Sequence, residues 1–379
     1  MKKDSIVNIC IASDDNYAPL VATTIASVCT NTSRMVKFWC LETNISKYNK
    51  RLIDSLHDKF QNFEIEYLTI DRALIDDFAN KLSTSGHISA DTYSRLFIPD
   101  LFPNMEKMIY LDVDLIAVGD VGELYDYDLG KYALGAVAAD YGVDKSQWFQ
   151  DMEMHGAHQY FNAGVLLMNP KELYNDKFLD KISKIANKYG QYIVLGDQDL
   201  LNKCFDANYC ELPWRFNLTT RFLEMELGHV DHAHREQMAN EYKNAVIRHF
   251  ESRRKPWNYE RNDCNGAQIK NMADFWSVAQ MTPYVAWFRT QFEFSKLNVV
   301  QGNVWKYVND AKSAMAVPHK TTSRFLLFDV IPFVRIRRRP KKTTYLLFGF
   351  LPIISKKLKN YGKKTVWRLF DLITVFSVK

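Results

Sequence analysis

Two aspartates one residue apart, Asp112 and Asp114, interrupt an otherwise apolar run, Met108-Ile109-Tyr110-Leu111-Asp112-Val113-Asp114-Leu115-Ile116. The run reads as a buried strand whose carboxyl end presents two carboxylates. Residues i and i+2 of a strand share a face, so the pair points the same way. Two carboxylates so placed can ligate one hard cation, and Mg²⁺ or Mn²⁺ favours oxygen donors. A divalent ion at a strand end is a place to hold a pyrophosphate. The competing reading is an Asp-x-Asp in a surface turn, which the short motif alone does not exclude.

Four other stretches carry groups with chemical use. Arg95 lies in Tyr93-Ser94-Arg95-Leu96-Phe97-Ile98, just ahead of the Asp-x-Asp run, with Leu96, Phe97 and Ile98 expected in the core. It reads either as an ion pair with an acidic neighbour or as an anion or sugar clamp, which suits a planar guanidinium fork. Asn162-Ala163-Gly164 opens an apolar strand and lets the backbone approach something closely. Gly196-Asp197-Gln198-Asp199 starts a helix; Asp197 either caps it or, with Gln198, faces a polar substrate. His249 is followed by Glu251, Ser252, Arg253, Arg254 and Lys255 in a loop ending at Pro256, as a phosphate site requires.

The elements that must position these groups follow from periodicity. Residues 6–12, 36–41 and 65–70 read as buried strands, residues 18–29 and 46–60 as helices, the second capped by Ser46. Another strand is expected over 160–169, and helix over 274–294 with an interruption at Pro283. Strand and helix alternating in this way argue for an α/β, mostly parallel sheet with helices on both faces. Ligands of such sheets sit beyond the carboxyl ends of the strands, where the Ser13–Tyr17 loop and the Asp-x-Asp both lie. No GxGxxG or P-loop occurs, which removes the usual fingerprints of dinucleotide binding and ATPase chemistry.

A chain of 379 residues with 47% apolar and 25% charged residues has the composition of a folded globular protein. Its six cysteines form no CxxC pair and no zinc-finger spacing, so reduced thiols in a cytoplasmic protein are expected. The N-terminus shows no signal-peptide pattern. The net charge of +5 conceals a split. Residues 320–379 hold 15 Lys and Arg against Asp329 and Asp371, a balance of +13 that leaves −8 for the body. That tail contains three similar apolar units beginning at Phe325, Tyr345 and Trp367, separated by cationic blocks. Aromatic-rich apolar blocks alternating with cations fit attachment to an anionic membrane surface. A small packed appendage with a solvated cationic face is the alternative, and a nucleic-acid partner is not expected.

Taken together the motifs resemble family 8 of the retaining glycosyltransferases, the GT-A-fold enzymes that include bacterial lipopolysaccharide and lipooligosaccharide α-galactosyl- and α-glucosyltransferases. The resemblance rests on Ala12-Ser13-Asp14-Asp15-Asn16-Tyr17, His87-Ile88-Ser89, Tyr93-Ser94-Arg95-Leu96, Leu111-Asp112-Val113-Asp114, Phe161-Asn162-Ala163-Gly164-Val165, Asp197-Gln198-Asp199 and His249-Phe250 with Lys255-Pro256-Trp257. They occur in the family's order across roughly residues 5–260. The resemblance implies a GT-A-type, Rossmann-like catalytic domain over 1–275. A helical extension over 276–319 and the basic-aromatic tail over 320–379, a C-terminal helical/basic amphipathic region, would follow.

It also implies roles. Asp112, Asp114 and His249 would ligate Mn²⁺, or Mg²⁺, bridging the phosphates of a UDP-hexose. Lys255 would contact the pyrophosphate; Ala12, Asp14 and Asn16 would hold uridine. His87, Arg95, Asn162, Asp197 and Gln198 would surround the donor sugar, with Asp140 where the family has an acidic residue near it. Ser252 stands where the family usually has Gly, a departure in the phosphate loop. The implied reaction is transfer of glucose or galactose with retention to a lipopolysaccharide-type glycan or glycolipid acceptor, at the inner face of the cytoplasmic membrane. Gln198 is a poor nucleophile, which favours a front-face mechanism over double displacement. The alternatives are a nucleotide-sugar-binding protein without transfer, and a hexosyltransferase acting on a protein or storage glycan.

Overall fold

The first strand carries a continuous buried run, Ile9-Cys10-Ile11, because both faces of the sheet are covered. In β1 (Val7–Ser13), Val7, Ile9 and Ile11 pack into one core and Cys10 into another on the opposite face. The computed structural model describes residues 5–82, 90–139, 146–155, 160–219, 232–251, 255–258 and 266–293, and the backbone of six strands within 321–378. The chain divides into two units, Met1–Glu293 and Phe294–Lys379.

In the first unit, β2 (Val36–Glu42) lies beside β1 and β3 (Phe63–Thr69) beside β2, and β4 (Met108–Leu111) lies on the other side of β1, all parallel. The chain continues through β5 (Leu115–Ala117), β6 (Leu134–Ala138), β7 (Phe161–Met168), β8 (Cys210–Glu211), β9 (Leu218–Thr219) and β10 (Ile247–His249). A seven-stranded sheet runs in the order β3-β2-β1-β4-β7-β6-β8, with β7 antiparallel to both its neighbours. This is the mostly parallel α/β sheet expected. All eight residues of β7 are buried, as a central strand packed on both faces requires. The helix Ala18–Asn31 is buried on nearly every side. Ser46 caps the next helix, Lys47–Asp54, its hydroxyl accepting from Asn49 N at 3.2 Å. That helix passes into a 3-10 turn, Ser55–Asp58, sooner than the sequence suggests.

One expectation is corrected. The run from Met108 to Ile116 is not one strand but two, β4 and β5, which belong to different sheets. The ladder closes where Asp112 N–H donates to Gly164 O at 2.8 Å. The chain then bends through Val113 and Asp114 before Leu115 enters a three-stranded sheet, β5-β10-β9. The reason is solvation: carboxylates do not stay in an apolar ladder, and the break leaves the two side chains 26% and 21% exposed.

Behind β10, the rings of Phe250, Trp257, Phe275 and Phe288 pack edge-on or tilted with centroids 4.9–6.5 Å apart. They fix the helix Gly266–Ala279 and the helical residues 285–293, on either side of the turn at Pro283. The five cysteines among the described residues are free. No helix of the described residues is long and apolar enough to cross a membrane.

In the second unit, β11 (Thr321–Leu327), β12 (Ile331–Arg339), β13 (Lys342–Leu347), β14 (Leu351–Lys359), β15 (Lys364–Leu369) and β16 (Ile373–Val378) form an antiparallel sheet in sequence order. Each of the three apolar units in the tail is shared between two of these strands. Register sets cations opposite one another: Arg324 opposite Arg335, Lys342 opposite both Arg339 and Lys357, and Lys359 opposite Lys364.

Candidate active site

The break between β4 and β5 puts Asp112 and Asp114 at the carboxyl end of the sheet, and β10 supplies their partner. β10 pairs antiparallel with β5, setting His249 opposite Leu115, and Phe250 N–H donates to Asp114 O at 2.9 Å. His249 Nε2 thereby lies 3.1 Å from Asp114 Oδ1 and 3.8 Å from Asp112 Oδ2. One ligand atom from each of the three residues falls within 4.8 Å of the others. Two carboxylates and an imidazole are a donor set for a divalent cation such as Mn²⁺ or Mg²⁺.

The cradle is built for close approach. A Cβ on Gly164 would come within 2.2 Å of His249 Cε1 and 2.7 Å of Asp112 Oδ2. The opening Asn-Ala-Gly of β7 therefore admits the cluster itself.

Sequence reasoning missed the residue that orients the imidazole. Asn217 Oδ1 lies 3.0 Å from His249 Nδ1, and its amide nitrogen donates to Asn162 Oδ1 at 2.8 Å. Since that oxygen can only accept, the bond places the Nδ1 proton and leaves Nε2 for the cluster. Asn217 just precedes the short strand β9, and a polar residue in that position was the only available signal. Asn162 is the hub: its Oδ1 also accepts from Gly164 N at 2.9 Å, and its amide donates to Gln198 Oε1 at 3.2 Å and Glu251 Oε2 at 3.0 Å. Gln198 Oε1 accepts from Ala163 N as well, and its amide donates to Tyr160 OH at 3.0 Å.

Arg95 makes the ion pairs that its position suggested. It is buried, with Nη2 2.7 Å from Asp112 Oδ1 and Nε 2.9 Å from Asp197 Oδ2. Its Nη1 donates to Ala163 O at 2.5 Å, its Nη2 also to Thr92 Oγ1, and the guanidinium lies 4.4 Å from the Tyr110 ring centroid. All three nitrogens thus serve protein acceptors, and Arg95 sets the positions of Asp112 and Asp197. Tyr110 OH adds a bond to Asp112 Oδ1 at 2.9 Å. Asp197 is the first residue of its helix, Asp197–Phe205, rather than its cap, which is Gly196 at φ +60°. Its carboxyl also accepts from Thr92 Oγ1 at 3.1 Å. Burial, and next the charge of Asp112, push it up to about 6, against the pull of Arg95.

Lys255 Nζ lies 2.7 Å from Asp114 Oδ2 and also bonds Phe250 O. Burial works to raise the Asp114 carboxyl, but Lys255 and His249 overcome it and hold it well below the usual range. Burial would lower His249, and Asp114 outweighs it and raises the imidazole above its usual 6.5. Near the end of β1, Ala12 is half-buried, and on the loop after it Asp14 accepts from Tyr17 N at 3.0 Å and Asn16 Nδ2 at 3.2 Å. Tyr17, 46% exposed, is raised by its partial burial and then by the charge of Asp114. His87, Asp140 and Ser252, with Arg253 and Arg254, lie outside the described residues.

Comparison with known proteins follows the same core. The family model described as glycosyl transferase family 8 matches residues 8–261. General stress protein A of Bacillus subtilis (strain 168) is 29% identical over 264 residues, covering 68% of this chain and 90% of the relative. Glycosyltransferase GlyF of Streptococcus pneumoniae serotype 4 is 26% identical over 291 residues, 77% of this chain and 65% of the relative. Among solved structures, galactosyltransferase LgtC in complex with donor and acceptor sugar analogs superposes with a TM-score of 0.61 at 27% identity, covering 73% of this chain and 96% of that one.

Proposed function

The chain belongs to glycosyl transferase family 8, and from that premise we propose that it moves glucose or galactose, with retention, from a UDP-sugar to a lipopolysaccharide-type glycan or glycolipid. The observation that carries the reading is the convergence of Asp112, Asp114 and His249 at one point beside Lys255. The donor set suits Mn²⁺, and the Gly164 cradle supports its use as a ligand site. When bound, the ion would supply Lewis-acid stabilisation of the departing UDP.

The chain's own residues do the rest. Asp14 and Asn16, with the Ala12 backbone, hold uridine on the loop after β1. Lys255 is within reach of the cluster and offers its charge to the pyrophosphate. Asn162 and Gln198, locked by Tyr160 and Asn217, present fixed amide dipoles to the donor sugar, and fixed dipoles need no reorganisation as charge develops. Asp197 is engaged by Arg95 and Thr92, and Gln198 is an amide, so neither is a ready nucleophile. That supports a front-face displacement in which the leaving phosphate accepts the acceptor's proton. The tail supports work at the inner face of the cytoplasmic membrane. Its balance of +13 over residues 320–379 favours an anionic lipid surface.

Ser252, in place of the usual Gly, favours a second reading: a nucleotide-sugar-binding protein without transfer. Release of UDP from a panel of nucleotide sugars, with Mn²⁺ and with chelator, beside Asp112→Asn, separates the two. Chelator-sensitive release from one UDP-hexose, lost in the variant, is expected. Tight UDP binding with no release, even with extracted membrane glycolipid added, would move the assignment to the binding protein.

A further inference from the structure

One cavity borders the uridine loop and shares Asn16 with it, but the reaction just described uses none of its other walls. It has a volume of about 570 Å³, and its walls include Asp15, Tyr48, Asn49, Tyr284, Trp287 and Gln291. That size lies within the roughly 300–1,000 Å³ of small-molecule sites. Its floor is fixed by a chain of hydrogen bonds. Asn49 Nδ2 donates to Asp15 Oδ1 at 2.7 Å, and Tyr284 OH donates to Asn49 Oδ1 at 2.9 Å. Ser46 N–H holds the same Asp15 oxygen at 2.8 Å. Above this floor two aromatic side chains stay accessible, Tyr48 at 70% and Trp287 at 36% exposure.

The lining selects by chemistry. Among the described residues that line it, none is Lys or Arg and one is a carboxylate, Asp15. A phosphorylated or otherwise anionic ligand is disfavoured there. Asp15 already accepts from a backbone N–H and an amide, so a cation would meet a carboxylate that is partly spent. A neutral polyhydroxylated ligand meets neither objection. Its C–H faces can lie on exposed rings, while the Gln291 amide and the Tyr48 phenol, outside the hydrogen-bonded floor, bond its hydroxyls. The position adds meaning: Asp15 sits in the same loop as Asp14 and Asn16, which the donor reading uses.

We infer that this cavity is a second carbohydrate site, which holds a neutral stretch of an oligosaccharide chain while the loop beside it serves the donor. The inference rests on reading the chain as a glycan-building transferase, and its test keeps the two apart. Saturation-transfer NMR of the full chain, with UDP saturating the donor site, is run against lactose, maltotriose and cellotriose. At least one oligosaccharide is expected to bind. Trp287→Ala and Tyr48→Ala should each weaken it about fivefold, the order expected for one lost ring contact. Trp287→Phe should restore most of the loss, and UDP affinity by calorimetry should be unchanged in all three variants. Silence across the panel, or binding equal in wild type and both alanine variants, overturns the site. Glycan binding lost in Trp287→Ala, in a protein that never releases UDP from a UDP-hexose, would leave the site standing and sink the transferase reading instead.

Discussion

Gly164 and His249 are packed so closely that a single added carbon cannot fit between them: a Cβ on Gly164 would stand 2.2 Å from His249 Cε1. His249 has no direction in which to yield, being held between Asn217 Oδ1 and Asp114 Oδ1 at 3.0 and 3.1 Å. Gly164→Ala is therefore expected to cost about 1–3 kcal/mol of stability, as overpacking does. It should also abolish Mn²⁺-dependent UDP release. Urea unfolding and the release assay check the two effects separately. A variant that folds and binds Mn²⁺ like wild type would show that the imidazole is free to move.

Asn217 acts through His249. Asn217→Ala removes the acceptor that fixes the Nδ1 proton and is expected to weaken metal affinity roughly 10–100-fold, the usual cost of losing such a partner. Asn217→Asp keeps an acceptor in place and should recover much of the affinity. Manganese titration monitored by calorimetry or electron paramagnetic resonance distinguishes the two. Equal affinities for Asn217→Ala and wild type would remove Asn217 from the site.

Arg95 is the countercharge of two carboxylates, Asp112 and Asp197. Arg95→Met leaves both without it and should destabilise the fold by about 3–5 kcal/mol in the metal-free protein. Arg95→Lys offers one ammonium where two acids are bridged by a planar fork, and should recover only part of the loss. Denaturant unfolding in chelator gives the answer. A loss below 1 kcal/mol for Arg95→Met would mean that the two acids tolerate separation from the guanidinium.

Glu42 gives a pH signature away from the site. Burial works to raise its carboxyl, but Lys50, Thr69 Oγ1 and the Ile45 N–H together hold it below its ordinary value of 4.5. A folded-state value below the unfolded one means that stability is fully present above about pH 4.5 and is lost as pH falls through the lowered value. Glu42→Gln should cost about 1–3 kcal/mol near neutral pH. The gap to wild type should narrow below pH 4.5, as the unfolded residue takes up a proton, and close as pH falls through the lowered folded-state value. Denaturant melts between pH 3 and 7 measure it, and a gap that stays constant to the acid end would contradict the assignment.

The tail can be tested by removal. A chain ending at Pro318 lacks the +13 balance of residues 320–379. It is expected to keep chelator-sensitive UDP release while losing sedimentation with vesicles containing phosphatidylglycerol. Sedimentation equal to that of the full chain would end the membrane assignment.

The sequence by itself determined the alternating strand–helix pattern, the Asp-x-Asp, the close-approach glycine and the acidic-body, basic-tail split, because each is local. Burial and the strand period write themselves into residues two or four apart. It also pointed to the stretches proposed to carry the chemistry, since Asp112 and Asp114 interrupt an apolar run and Asn162 opens an apolar strand. What only the tertiary structure decided is which of them meet. The split of Met108–Ile116 between two sheets, and the pairing of β5 with β10, bring His249 to Asp114 across 135 residues. No local pattern encodes that register. Whether the Arg95 fork meets protein carboxylates is likewise fixed only in the folded molecule, where it pairs with Asp112 and Asp197. Asn217 carries no mark at all: an amide becomes an orienting group through the atom it faces, and that atom is supplied 32 residues later.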